Sequence, residues 1–362
     1  MFAVAFLAAS CGGSSTGGVR SPSPPASTSS SGPPPASPSA IPSIPPVTAP
    51  YGVLFTPPSN GNYTVSLVST AGTVAATAQA SFPPNAACAN GAAAVLPLPV
   101  STSNSRLYYM DTTGAVRTLV PDGAPSLTPI ITLPASSASR RSMFAVSPDD
   151  SRMAVVVADF TSTGATTRVY MDQLQAGGAQ TQIFSEAGAY TLWPTGWHGT
   201  TSLVLAKVPA CTQGGGPGCC GPQEFHVIDP VTAARRFTVG GSGCVITGPP
   251  TPAGALCATT SSASVISWTA VTTNTFPIHD YFAAYLSPNG SAVAVVDNSG
   301  TQVFPSPLQP WAGMTACGWI DEAHVLAGGD AQAQPRIGDA TSGKVVPVAA
   351  QGGCAGRIPG GL

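Results

Sequence analysis

From Tyr51 onward the chain alternates short apolar runs with polar, glycine- and proline-rich breaks. The runs have the length of strands, and no amphipathic stretch exceeds about two helical turns. The pattern therefore predicts an all-β fold built from many short strands. Two stretches organise it: Ser147–Asp159, SPDDSRMAVVVAD, and Ser287–Asp297, SPNGSAVAVVD. Each is a tight polar turn running into a β-branched strand. Met153–Val157 and Ala292–Val296 are almost continuously apolar rather than alternating, the mark of a strand covered on both faces.

A turn-plus-strand unit that recurs with both faces buried is a repeat unit whose copies cover one another. Strands of this buried type begin near Arg106, Arg152, Ser202, Ala255, Ala292 and His324, at intervals of 46, 50, 53, 37 and 32 residues. Blade repeats run about 40–50 residues. The reading is a single β-propeller over 51–362, with seven blades preferred to six; a double-layer sandwich array is the alternative fold. The opening hairpin, Tyr51–Phe82, is either a seventh blade or a set of outer strands donated for closure. The last strands expected are Met314–Ile320, His324–Gly328, Pro335–Ile337 and Lys344–Val348.

In Ser147-Pro148-Asp149-Asp150, Pro148 presets φ for the second turn position and Asp149 accepts from nearby backbone N–H groups. Ser287-Pro288-Asn289-Gly290 repeats the device with glycine at the last position. These motifs resemble the TolB-type propeller repeat, whose usual form is Ser-Pro-Asp-Gly followed by an aliphatic strand. Asp150 departs from it where glycine is usual. Gly196-Trp197-His198 and Gly318-Trp319-Ile320 stand in place of the turn in two further repeats. The resemblance implies a propeller and no activity, because such repeats serve in binding scaffolds, periplasmic assembly proteins and the gating domains of peptidases.

The first fifty residues are of another kind. Residues 1–11, MFAVAFLAASC, form an apolar run ending in small residues, too short for a transmembrane helix. The tail Leu7-Ala8-Ala9-Ser10-Cys11 resembles a bacterial lipobox, which implies cleavage before Cys11 and acylation of it. The lipobox prefers leucine where Ala8 stands, and the basic n-region of a signal peptide is missing, as it would be if the true start lay upstream. Residues 12–50 are nearly all Ser, Pro, Gly, Ala and Thr. They cannot bury enough apolar surface to fold and read as a disordered, partly polyproline-II spacer reaching roughly 120 Å when extended.

Only 8% of the 362 residues are charged, 13 basic against 15 acidic, with no block of either sign. A nucleic-acid binder needs a basic stripe, so that class is excluded. A polybasic membrane patch is also missing. Of nine cysteines, setting Cys11 aside leaves Cys88, Cys211, Cys219, Cys220, Cys244, Cys257, Cys317 and Cys354. An even set suits disulfides in an oxidising compartment, with 105 possible connectivities. Cys244 with Cys257, Cys211 with Cys219 or Cys220, and Cys88 or Cys317 with Cys354 are the pairings considered, against buried free thiols.

Catalytic signatures are scarce. A propeller-gated serine peptidase needs a Gly-x-Ser-x-Gly elbow; Gly240-Gly241-Ser242-Gly243-Cys244 fails at its last position. His198, His226, His279 and His324 stand alone, without metal-ligand spacing. Asp149 and Asp150 suit a turn better than a cation. Cys219-Cys220 resembles the vicinal disulfide of propeller quinoproteins, but repeated Trp docking motifs and a calcium-binding carboxylate set are missing. Trp193, Trp197, Trp268, Trp311 and Trp319 suit a glycan or peptide site, yet Trp197 and Trp319 hold equivalent repeat positions, which favours blade packing. No catalytic residue, cofactor or metal is assigned.

The expectation is a monomeric cell-envelope lipoprotein, lipid-anchored through Cys11 and facing the extracytoplasmic side. Its propeller would act as a binding or scaffold module for an envelope protein, a peptide or a glycan. The alternative is an extracytoplasmic enzyme (a lyase, glycosidase or quinoprotein) with its site at the central channel, where propellers gather their loops. A structural surface protein without a small ligand is the third reading.

Overall fold

The computed structural model describes residues 43–88, 92–174, 180–212, 221–259, 261–278, 281–306, 308–330 and 332–362. The leader, the spacer up to residue 42, Cys11, Cys219, Cys220 and His279 lie outside them. Seven four-stranded antiparallel sheets make seven blades of one propeller, and among the described residues no helix is long and apolar enough to cross a membrane.

Numbered in chain order, blade 1 begins with the inner strand Val100–Thr102, blade 2 with Arg140–Val146 and blade 3 with Tyr190–His198. Blade 4 begins with Val245–Thr251, blade 5 with Ala283–Leu286 and blade 6 with Ala316–Trp319. Blade 7 is assembled from both ends of the described chain. Its inner strand is Gly353–Ile358, and its three outer strands are Tyr51–Ser59, Asn62–Ser69 and Val74–Ser81. Tyr51 pairs with Ile358 and Phe55 with Gly353, which closes the ring. The opening hairpin therefore belongs to a seventh blade and also supplies its closure. The expected terminal set lacked this inner strand, and the expected hairpin Tyr51–Phe82 proves to hold three strands, the first shifting register between Thr56 and Ser59. Between the opening hairpin and blade 1, the two-residue strand Ala93–Ala94 pairs with Cys211–Thr212.

Second strands are the best buried. Met153 through Ala158 are at most 3% exposed, and Val293 and Ala294 are fully covered. Seven apolar clusters fill the spaces between blades. In one, Met153, Val155 and Val157 of blade 2 meet Tyr108, Met110 and Val116 of blade 1; the intervening Ala154, Val156 and Ala158 meet Trp197, Leu203 and Leu205 of blade 3. Burying a Val side chain is worth roughly 1.5–3 kcal/mol, so each blade is held by its neighbours.

The two organising turns are superimposable in their bonding. The N–H of Asp150 donates to Ser147 O at 3.0 Å, and that of Gly290 to Ser287 O at 3.0 Å. Ser147 Oγ accepts from Arg152 N at 2.9 Å, and Ser287 Oγ from Ala292 N at 3.0 Å. Both fourth positions are left-handed, with φ of 58° at Asp150 and 75° at Gly290, a conformation natural to glycine and strained for aspartate.

Three disulfides occur among the described residues: Cys88–Cys211, Cys244–Cys257 and Cys317–Cys354. Cys244–Cys257 joins the first two strands of blade 4, and Cys317–Cys354 ties the inner strands of blades 6 and 7. Cys211 does not pair with Cys219 or Cys220. Its partner is Cys88, because the pairing of Ala93–Ala94 with Cys211–Thr212 carries residues 123 positions apart to a Cα separation of 6.0 Å.

Candidate functional site

The inner strands enclose a central channel of about 540 Å³, inside the size range of small-ligand pockets. Every blade contributes to its wall: Ser101, Phe144, Trp193, Pro250, Tyr285, Trp319 and Ala355 are one from each. Among the lining glycines, Gly248 lets the inner strand of blade 4 approach that of blade 5, since a Cβ there would come within 2.4 Å of Ala284 O. Among the described lining residues Arg357 alone is charged, and none is a carboxylate or histidine. Trp193 Nε1 and Thr251 Oγ1, on two of the lining residues, are buried and have no hydrogen-bond partner.

The two ends differ. At one, the lining reaches Leu96, Pro97, Leu98 and Pro222; Leu98 is 41% exposed, and the Cys88–Cys211 bridge fastens the segment leading to it. At the other, where the organising turns lie, residues 360–362 run from blade 7 along the rim of blades 1, 2 and 3 as a strap. Gly360 N donates to Ser103 O at 2.8 Å and Leu362 N to Trp197 O at 2.7 Å. Leu362 O lies 2.9 Å from His198 Nδ1 and accepts from Gly199 N at 3.2 Å. The Leu362 side chain packs against the core between blades 3 and 4. Arg357 donates to Pro359 O at 3.0 Å beneath this strap. Burial lowers its pKa, and the charges of Glu322 and Asp321 oppose that shift. Burial raises the Glu322 carboxyl, against a hydrogen bond from Asn289 N at 3.1 Å.

The other sequence-flagged residues serve the framework. Indole N–H groups donate to backbone carbonyls: Trp197 to Ala145 at 3.2 Å, Trp268 to Thr251 at 3.0 Å, Trp311 to Gly343 at 3.1 Å and Trp319 to Tyr285 at 2.8 Å. Asp149 ties its own turn, accepting from Ser147 Oγ at 2.6 Å and Ser151 Oγ at 2.8 Å. Burial would raise its pKa, but these bonds leave it lowered. Asp150 works across a blade boundary. It accepts from Tyr108 Oη at 2.6 Å, from Ser105 Oγ, and from Arg106, whose Nη2 is 3.1 Å away. This explains its place where the repeat uses glycine. His324 lies 2.9 Å from Asp321, and His226 lies 2.9 Å from Glu224. No group of three or more metal-ligating side chains occurs among the described residues.

No family model matches the chain, and no curated protein sequence does. Several solved structures show a partial backbone likeness at low sequence identity. An acylaminoacyl peptidase of Pyrococcus horikoshii has a TM-score of 0.47 at 10% identity, over 82% of this chain and 52% of that one. The dihydro-heme d1 dehydrogenase NirN has a TM-score of 0.41 at 16% identity, over 89% and 79%. BamB from Moraxella catarrhalis has a TM-score of 0.35 at 14% identity, over 83% and 87%.

Proposed function

We propose that this chain is a bacterial cell-envelope lipoprotein, anchored through Cys11, whose TolB-type propeller binds an apolar segment of a protein or peptide in its channel on the extracytoplasmic side. The observation that carries the binding reading is the channel wall: apolar and small side chains from all seven blades, with no carboxylate or histidine among its described residues. Such a wall favours association by burial, at about 25 cal/mol per Å² of apolar area removed from water. Three disulfides support an oxidising compartment, and the lipobox-like leader and Pro/Ser-rich spacer support a tethered propeller.

The test is titration of the full chain with a library of apolar and polar hexapeptides, alongside a Thr195→Trp variant that fills the bore. Apolar members bind and the variant loses at least tenfold in affinity. Binding indifferent to Thr195→Trp, or confined to polar peptides, removes the channel as the site.

A further inference from the structure

We propose a second ligand site, in a groove between blades 2 and 3, that holds a neutral sugar ring. The groove encloses about 320 Å³, at the small end of ligand pockets, and lies outside the channel. It exists because strand alternation sends unusual residues to a blade interface. In Ser202–Pro209 and Glu224–Ile228, the residues Val204, Ala206, Phe225 and Val227 face blade 4 and pack with Trp268. The alternate positions face blade 2, and there Lys207, Glu224 and His226 line an open cavity. The corresponding space between blades 1 and 2 is filled by apolar side chains, among them Leu133 and Leu174. Burying His226 and half-burying Glu224 and Lys207 at a blade interface costs desolvation that aliphatic side chains would not, so packing alone does not account for them.

The groups are fixed in place. Lys207 Nζ is 3.1 Å from Glu224 Oε1 and 4.5 Å from the centre of the Tyr190 ring. The same carboxylate oxygen lies 2.9 Å from His226 Nε2. His226 is 6% exposed, and burial lowers its pKa although the Glu224 bond opposes this. Neutral imidazole donating from Nε2 leaves Nδ1 as an acceptor. Arg235, exposed at the rim, makes no side-chain hydrogen bond or ion pair among the described residues. Glu186 sits on the blade 2 wall.

The ligand chemistry follows from this inventory. Two cations and two carboxylates cancel, which gives no preference for an anion or a cation. Donors (Lys207, Arg235) stand beside acceptors (Glu224, Glu186, His226), as suits hydroxyl groups, each of which both donates and accepts. Phe184 and Leu192 offer an apolar surface for the C–H face of a ring.

Ligand-detected NMR and calorimetry on the full chain test this with N-acetylglucosamine, methyl glucoside and galactose, against leucine as a zwitterion. At least one sugar binds with millimolar affinity and leucine does not. Arg235→Gln and Glu224→Gln each weaken that sugar at least fivefold. Arg235 is exposed, so its variant keeps the fold even if Glu224→Gln lowers stability. Thr195→Trp, which blocks the channel, leaves sugar binding unchanged. No binding by any of the three sugars, equal binding of leucine, or an affinity unaltered by Arg235→Gln overturns the proposal, as does loss of sugar binding in Thr195→Trp.

Discussion

The indole N–H of Trp197 donates to the carbonyl oxygen of Ala145 at 3.2 Å, from the inner strand of blade 3 into that of blade 2. Ala145 stands two residues before Ser147, where the first organising turn begins. Trp319 repeats the arrangement at 2.8 Å on Tyr285, two residues before Ser287. Each clamp thus grips the inner strand that feeds a Ser-Pro turn. Loss of one hydrogen bond costs about 0.5–1.5 kcal/mol. Trp197→Phe and Trp319→Phe are each expected to lower stability by that amount in urea denaturation, and Trp197→Ala by about 3–5 kcal/mol through the added cavity.

Asp150 pays for a left-handed backbone with a buried ion pair. Asp150→Gly relieves the turn but removes the carboxylate that faces the Arg106 guanidinium, which is 2% exposed. Removing one partner of a buried pair costs about 3–5 kcal/mol, far more than the relief. Asp150→Gly is expected to destabilise strongly, and the double variant Asp150→Gly with Arg106→Met to recover much of the loss. Recovery in the double variant is the quantity to measure; its failure would show that the turn needs aspartate for another reason.

Ring closure depends on a strand from each end of the described propeller, and Cys317–Cys354 staples that seam to blade 6. Loss of a native disulfide costs about 2–5 kcal/mol. Replacing both cysteines by serine is expected to lower the melting temperature under oxidising conditions. The wild type is expected to fall to the same level when this bond alone is reduced.

His226 gives the fold a pH dependence of known sign. Burial lowers its pKa below the ordinary 6.5, with the Glu224 hydrogen bond opposing the shift. On acidification the unfolded chain takes up this proton first, so it binds more protons than the native state between the two values. Stability is therefore lost as pH falls below 6.5 and through the folded value. In His226→Gln that component of the slope disappears, as denaturation midpoints measured at successive pH values will show.

Much of this architecture is legible in the sequence because second strands buried on both faces write continuous apolar runs. Met153–Val157 is the clearest. Inner strands write a weaker signal: they line a bore that needs small residues, so Gly353-Cys354-Ala355-Gly356-Arg357-Ile358 reads as a loop. The channel is hidden for a related reason, since its wall takes a few residues from each of seven strands far apart in the chain. Asp150 was visible as a departure from the repeat, but its partners Ser105, Arg106 and Tyr108 lie in another blade. The spacing of Glu224 and His226 places both on one face of a strand, a signal that gains meaning only when Lys207 is found opposite.

We propose that the channel receives an apolar segment of an envelope partner. Photo-crosslinking in intact cells tests it most directly, with a benzophenone amino acid placed at Thr195 in the channel wall or at Thr273, exposed on the outer strand of blade 4. The expected result is a discrete adduct from Thr195, mapping to an apolar stretch of one partner, and none of that mass from Thr273. An adduct from Thr273 alone, or no adduct from Thr195, would contradict the account.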